Sequence, residues 1–183
     1  MAINTHIIFQ PLRMASQDTV SYDRTITSAT DLDNGNLVIE TVPATTTYGV
    51  NDLINYVGTV PGAAVATDII LVVDSGEVAR IGGEFRVDTV DPRNNYVPAT
   101  VPAKARQLVV GDEFAVSATA FTSLPTVTQF VGATNGTALF TASNATRATI
   151  AAASRLVCYV VSTWVFSVGK TNVAGYRLKV VAA

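Results

Sequence analysis

Valine and threonine occur 27 and 24 times among the 183 residues, and this abundance of β-branched side chains restricts the fold more than any other feature. A side chain branched at Cβ is stiff about χ1 and crowds the preceding turn of a helix, whereas it packs well on a pleated surface. The expectation is a mainly β protein. Hydrophobic residues make up 49% of the chain and charged residues 14%, about half the usual charged share of roughly 25%. That composition excludes intrinsic disorder. A surface so sparsely charged also suits a protein that covers much of its exterior with partners, so a homo-oligomer is expected.

Turn chemistry divides the chain into segments. Residues 1–20 show no sustained alternation, and Pro11 interrupts the apolar group of Ile3, Ile7, Ile8, Phe9 and Leu12. This segment reads as an extended N-terminal arm, with an edge strand of the main sheet as the competing reading, since proline is tolerated there. Asn34-Gly35 and Asn135-Gly136 supply the positive φ angles of tight turns and predict two hairpins, with Leu37 and Ile39 sharing one face. Ile69 to Val73 is an uninterrupted apolar strand, and Glu84 to Val90 alternates with Phe85, Val87 and Thr89 on one side. Residues 91–105 carry three prolines and no periodicity, which predicts a long connection and a candidate division between two β subdomains. Two short strands are expected around Gly111-Asp112, and one short helix within Ala145 to Leu156. Leu156 to Val168 and Tyr176 to Val181 predict a long core strand paired with a terminal one. The fold expected is an antiparallel sandwich or barrel over residues 21–183, following the arm.

Side chains able to carry chemistry are few. The lone histidine, His6, has no second histidine to complete a zinc or copper set, and the lone cysteine, Cys158, sits in an apolar run that reads as core. Lys170-Thr171 follows Gly169, yet Trp164 stands where a phosphate-binding loop needs glycine. Asp31 and Asp33 resemble the start of a calcium loop, but Gly35 and Val42 occupy ligand positions, so a turn explains them and weak calcium binding is the alternative. Asp112 and Glu113 are adjacent, as are, nearly, Asp88 and Asp91, and neither pair is set across a cleft for acid and base work. No catalytic, cofactor-binding or metal-ligating residue is assigned, and no enzyme is expected. With 12 cationic against 14 acidic side chains, a net charge of −2, and no basic cluster, nucleic acid is not an expected partner. The N-terminus lacks the pattern of a secretory signal and no apolar run reaches the roughly 18 residues of a membrane span, so a soluble protein is expected, with no membrane partner.

The order of these elements resembles a known family. The segment SATDLDNGNLVIE with its D-L-x-N-G-x-L-V core, the paired GEV and EFRVDT, the connection DPRNNYVPATVPAKARQLVVGDEF with its L-x-V-G-D-x-F element, and the closing GYRLKVV are similar to those of capsid decoration (cement, head-stabilising) proteins of tailed bacteriophages. The likeness covers nearly the whole chain. It implies a structural virion protein, made in the bacterial host cytoplasm and located on the capsid exterior, that binds the major capsid protein as a trimer or dimer and locks neighbouring capsomers. The family has no active site to carry over. The expected capsid contacts lie in the arm, at Ile7, Phe9, Leu12 and Arg13. A second reading is a phage adhesin or receptor-binding β domain that recognises a host surface glycan through Tyr22, Tyr48, Tyr56 and Tyr96.

Overall fold

The structure is a computed structural model, and it describes residues 6–15, 23–41, 56–75, 79–81, 84–86, 96–168 and 170–183. The chain is mainly β, organised as a closed five-stranded barrel packed on a six-stranded antiparallel sheet. The barrel contains β2 (Asp23–Thr27), β4 (Leu37–Thr41), β5 (Tyr56–Thr59), β6 (Ile70–Val73) and β10 (Ala103–Gln107), in the order β10-β2-β5-β4-β6. All its pairings are antiparallel except β2 with β5, where Ile26 lies opposite Tyr56. The sheet contains β1 (Phe9–Arg13), β11 (Glu113–Ser117), β12 (Phe130–Gly132), β13 (Thr141–Ser143), β14 (Val157–Val168) and β15 (Thr171–Ala182), in the order β1-β11-β15-β14-β12-β13. Two short ribbons complete the strands among the described residues: β3 (Leu32–Asp33) with β9 (Tyr96–Val97), and β7 (Ala79–Ile81) with β8 (Glu84–Arg86).

Strand β6 shows why some apolar runs do not alternate. Leu71 and Val73 point into the barrel with Ile26, Val38, Ala103 and Ala105, while Ile70 and Val72 point at the sheet. Both faces are buried, so every position is apolar. On β4 the same division puts Leu37 and Ile39 on the sheet side and Val38 in the barrel, as the alternation predicts. The principal core therefore lies between barrel and sheet, where Leu37, Val72 and Leu108 meet Phe114, Phe140, Leu178 and Val180. A buried arginine closes the barrel seam: Arg106 on β10, 3% exposed, holds Asp23 of β2 at 3.0 Å and Asp74 after β6 at 3.2 Å.

Several expectations are refined. The turn at Asn34-Gly35 forms, with Gly35 at φ +94 and the Asn36 N–H donating to the Asp33 carbonyl at 3.0 Å. Its flanking strands do not pair with each other. Strand β3 joins β9, whereas β4 is taken between β5 and β6, because the apolar partners of Leu37 and Val38 lie there. Likewise β10 and β11 flank the Gly111-Asp112 turn but belong to barrel and sheet respectively. Strands β12 and β13 do pair, around a wider loop that includes Asn135-Gly136. The expected helix is α1 (Arg147–Ala153), capped by the Thr146 hydroxyl accepting from the Thr149 N–H. Strands β14 and β15 form the expected hairpin, with β15 beginning at Thr171 rather than at Tyr176. The stretch 91–105 is less irregular than expected, because its described part carries β9 and the start of β10. Val87 and Thr89, expected on the same side as Phe85, lie outside the described residues.

The segment expected to be an arm is, over its described residues 6–15, an edge strand. Phe9, Gln10 and Pro11 pair with Val116, Ala115 and Phe114, and Arg13 with Glu113 across a bulge at Leu12. Proline is accommodated because β1 has a partner on one side only, which leaves the other side without a required donor. The Ile8 N–H donates to the Ser117 hydroxyl at 2.9 Å, and the Ser117 N–H returns a bond to the Ile8 carbonyl.

Candidate functional site

Strand pleating gives the sheet an inner face against the barrel and an outer face turned away from it. Phe114 and Val116 on β11, and Tyr176, Leu178 and Val180 on β15, point inward to the core. Their alternates Glu113, Ala115, Arg177 and Lys179 therefore point outward. On β14 the parity changes along the strand. Cys158 and Val160 pair with Val180 and Leu178 and are inward, but the register shifts by one at Val161, so that Ser162 pairs with Arg177 and Trp164 with Gly175. One extra residue in a strand turns every later side chain to the opposite face. Trp164, Phe166 and Val168 are consequently outward, and they pack with Ile8, Leu12, Ala115 and Val173 into a second, outer apolar cluster.

That cluster is only partly covered. Ile8, Phe166 and Val168 are buried, while Leu12, Trp164 and Val173 remain half-exposed. A groove of about 500 Å³ runs between β1 and the end of β14, lined by Phe9, Gln10, Trp164, Val165 and Ser167 among others. Beside the cluster, one row crosses five strands: Arg13, Glu113, Lys179, Tyr159 and Phe130 are successive cross-strand neighbours. Arg177 donates to Glu113, and the Lys179 ammonium lies 3.6 Å from the same carboxylate. These contacts hold the Glu113 carboxyl below its ordinary value: the Arg177 hydrogen bond is the largest influence, burial opposes it, and the charges of Arg177 and Lys179 reinforce it. Tyr159 and Phe130 add a tilted ring pair at 5.4 Å. An exposed antiparallel face ordinarily alternates to polar side chains. Here it presents aromatic and aliphatic groups beside cations.

The four residues expected to contact a capsid divide between the two faces. Ile7 is 2% exposed inside the principal core, and Phe9 packs its ring on Phe114 at 5.4 Å, so neither is presented as an arm would present it. Leu12 and Arg13 face outward, Leu12 half-buried and Arg13 exposed. Their neighbours Trp164, Tyr159 and Lys179 escape a reading of the sequence, because uniform alternation through β14 would place Trp164 in the core. Of the aromatic residues considered for glycan binding, Tyr56 is half-buried in β5 and Tyr96 stacks on His6 at 4.8 Å, while Tyr22 and Tyr48 lie outside the described residues.

Elsewhere the polar groups are engaged with one another. His6 Nδ1 and Asp33 Oδ1 are 2.5 Å apart, and the other Asp33 oxygen accepts from the Ile7 N–H at 3.2 Å. Asp31 accepts from the Ala99 N–H at 2.8 Å, consistent with a turn ligand. Cys158 is buried, and burial together with the Asp112 charge pushes its thiol up, which keeps it protonated. A second cavity of about 460 Å³ lies between α1 and the β12–β13 hairpin. Its buried Ser154 hydroxyl accepts from the Ala133 N–H and donates to the Leu156 carbonyl, and among the described residues no buried side-chain atom that lines it lacks a partner. Among the described residues no three His, Cys, Asp or Glu side chains gather as a metal site, and no helix is long and apolar enough to cross a membrane. No protein-family model matches the chain, and neither a curated protein nor a solved structure shows significant similarity to it.

Proposed function

We propose that the chain is a structural, non-catalytic virion protein that binds the outside of a tailed-phage capsid as a homo-oligomer and stabilises contacts between capsomers. The observation that carries this reading is the outer sheet face, where half-exposed Leu12, Trp164, Val173, Tyr159 and Phe130 are held on a rigid six-stranded scaffold. Interface centres are enriched in aromatic side chains and poor in acidic ones, and this face has both properties. The resemblance of the D-L-x-N-G-x-L-V and L-x-V-G-D-x-F elements to those of decoration proteins supplies the partner, the major capsid protein. Both elements are turns that hold the scaffold: Gly35 precedes β4, and Gly111-Asp112 carries the chain from barrel to sheet. Docking in this reading uses Leu12 and Arg13 from the expected set, on the face of a strand rather than on a loose arm.

The test is co-sedimentation of the purified protein with shells of the encoding phage that lack it. Saturation at a copy number commensurate with the lattice is the expected result. A protein that stays in the supernatant at every concentration removes the reading.

A further inference from the structure

Charge is distributed unevenly along the chain. Residues 1–107 carry seven cations against twelve carboxylates, a net −5, while residues 108–183 carry five cations against two carboxylates, a net +3. Of those two carboxylates, Asp112 is 1% exposed and Glu113 is already held by Arg177 and Lys179. The sheet is thus the cationic side of an otherwise acidic protein. On its outer face Arg13 is exposed with no carboxylate within 4 Å among the described residues, and the Lys179 side chain is 48% exposed. The half-exposed Leu12 adjoins Arg13 on β1, and the half-exposed Trp164 lies opposite Gly175, on the same β15 strand as Lys179.

We propose that the surface gripped by this face is a carboxylate-bearing protein surface, with Arg13 and Lys179 pairing with its acidic side chains and Trp164 and Leu12 seated as the apolar anchor beside them. The inference rests on the capsid-docking reading and names the chemistry of the shell it requires. Three features favour a protein over other occupants. A polyanion tracks a continuous line of cations, and here Glu113 stands between Arg13 and Lys179 in the row. A second copy docked face to face about a two-fold axis would set one patch with cations in excess against an identical one, and like charges across an interface are costly. Cations set beside an apolar and aromatic cluster divide steering and anchoring between separate side chains.

The experiment measures binding of wild type, Lys179→Glu and Trp164→Ala to decoration-free shells at low and high salt. Lys179→Glu is expected to bind about 3- to 10-fold more weakly at about 50 mM NaCl and to converge on wild type at about 500 mM, where screening shortens to a few ångströms. Trp164→Ala is expected to bind about 30-fold more weakly at both salt concentrations, as an interface anchor does. Circular dichroism and thermal melting establish that each variant is folded, and Leu12→Ala, which removes less of the cluster, stands in for Trp164→Ala should the latter unfold. Wild type that leaves the shells bare overturns the capsid reading itself. Shells that bind wild type and all variants equally, or Lys179→Glu more tightly, overturn this inference while the reading stands. Self-association of the free protein, or heparin binding, that is abolished by the same variants assigns the face to a second copy or to a polyanion and likewise overturns it.

Discussion

His6 and Asp33 join the N-terminal strand to the first turn of the barrel: the imidazole Nδ1 lies 2.5 Å from Asp33 Oδ1, and the ring stacks on Tyr96 with an interplanar angle of 9°. The same carboxylate accepts from the Ile7 N–H, and the Asp33 N–H donates to the Asn36 side chain at 2.8 Å. One acidic residue therefore organises a strand end, a turn and an aromatic contact. Asp33→Ala should cost about 1–3 kcal/mol, because it leaves a backbone N–H and an imidazole without their acceptor. The loss should be local first. Hydrogen exchange at the Ile7 and Ile8 amides is expected to accelerate more than exchange at Leu178, and uniform acceleration would place the defect in the whole fold instead.

Gly175 faces Trp164 across the long hairpin, and a Cβ there would lie 2.5 Å from the Phe166 ring and closer still to the Val116 carbonyl oxygen. Backbone of a central strand cannot yield, so Gly175→Ala should destabilise by about 3 kcal/mol through overpacking. Gly62 is the contrast, since nothing lies within 4 Å of a Cβ built on it. Gly62→Ala should lie within about 1 kcal/mol of wild type, on the stabilising side, by restricting the unfolded chain. Chemical denaturation of the two variants checks the pair.

Acid should weaken the outer row. Glu113 is depressed by Arg177 and Lys179. A carboxylate that titrates lower in the folded than in the unfolded chain adds stability above its unfolded value, and that contribution is lost as pH falls through the lower folded value. Wild type should exceed Glu113→Gln by about 1 kcal/mol at neutral pH, the scale of a partly exposed ion pair. The gap should begin to narrow as the pH approaches the unfolded value of about 4.3 and should close once the pH lies below the lower folded value. A gap that widens in acid would reverse the sign of the interaction.

Cys158 reports on opening of the core. Its thiol is fully buried and driven toward the protonated form, so a thiol reagent should leave the native protein unmodified and react rapidly in guanidinium chloride. Under native conditions its slow modification should follow the population of globally unfolded chains and fall further in any stabilised variant. Rapid labelling without denaturant would contradict the burial.

Much of the fold was legible in the residues. The β class followed from valine and threonine, the helix from the alanines after Asn144, the fully buried strand β6 from its unbroken apolar run, and the last hairpin from alternation on both sides of Gly169. Each is a local property, set by side-chain sterics or by the identity of a turn residue. Outside the β12–β13 and β14–β15 hairpins, tertiary structure alone decided which strands became neighbours. The Asn34-Gly35 turn is encoded locally, but β4 leaves it to pair with β5 and β6 because their apolar faces bury one another. Pro11 and irregular alternation suggested a loose arm, and long-range hydrogen bonds from Ser117 with burial of Ile7 made an edge strand of it. The outer face was least legible. One additional residue near Val161 reverses the pleat and turns Trp164 from core to surface, and a bulge is a property of the pairing between two strands, which neither sequence carries by itself.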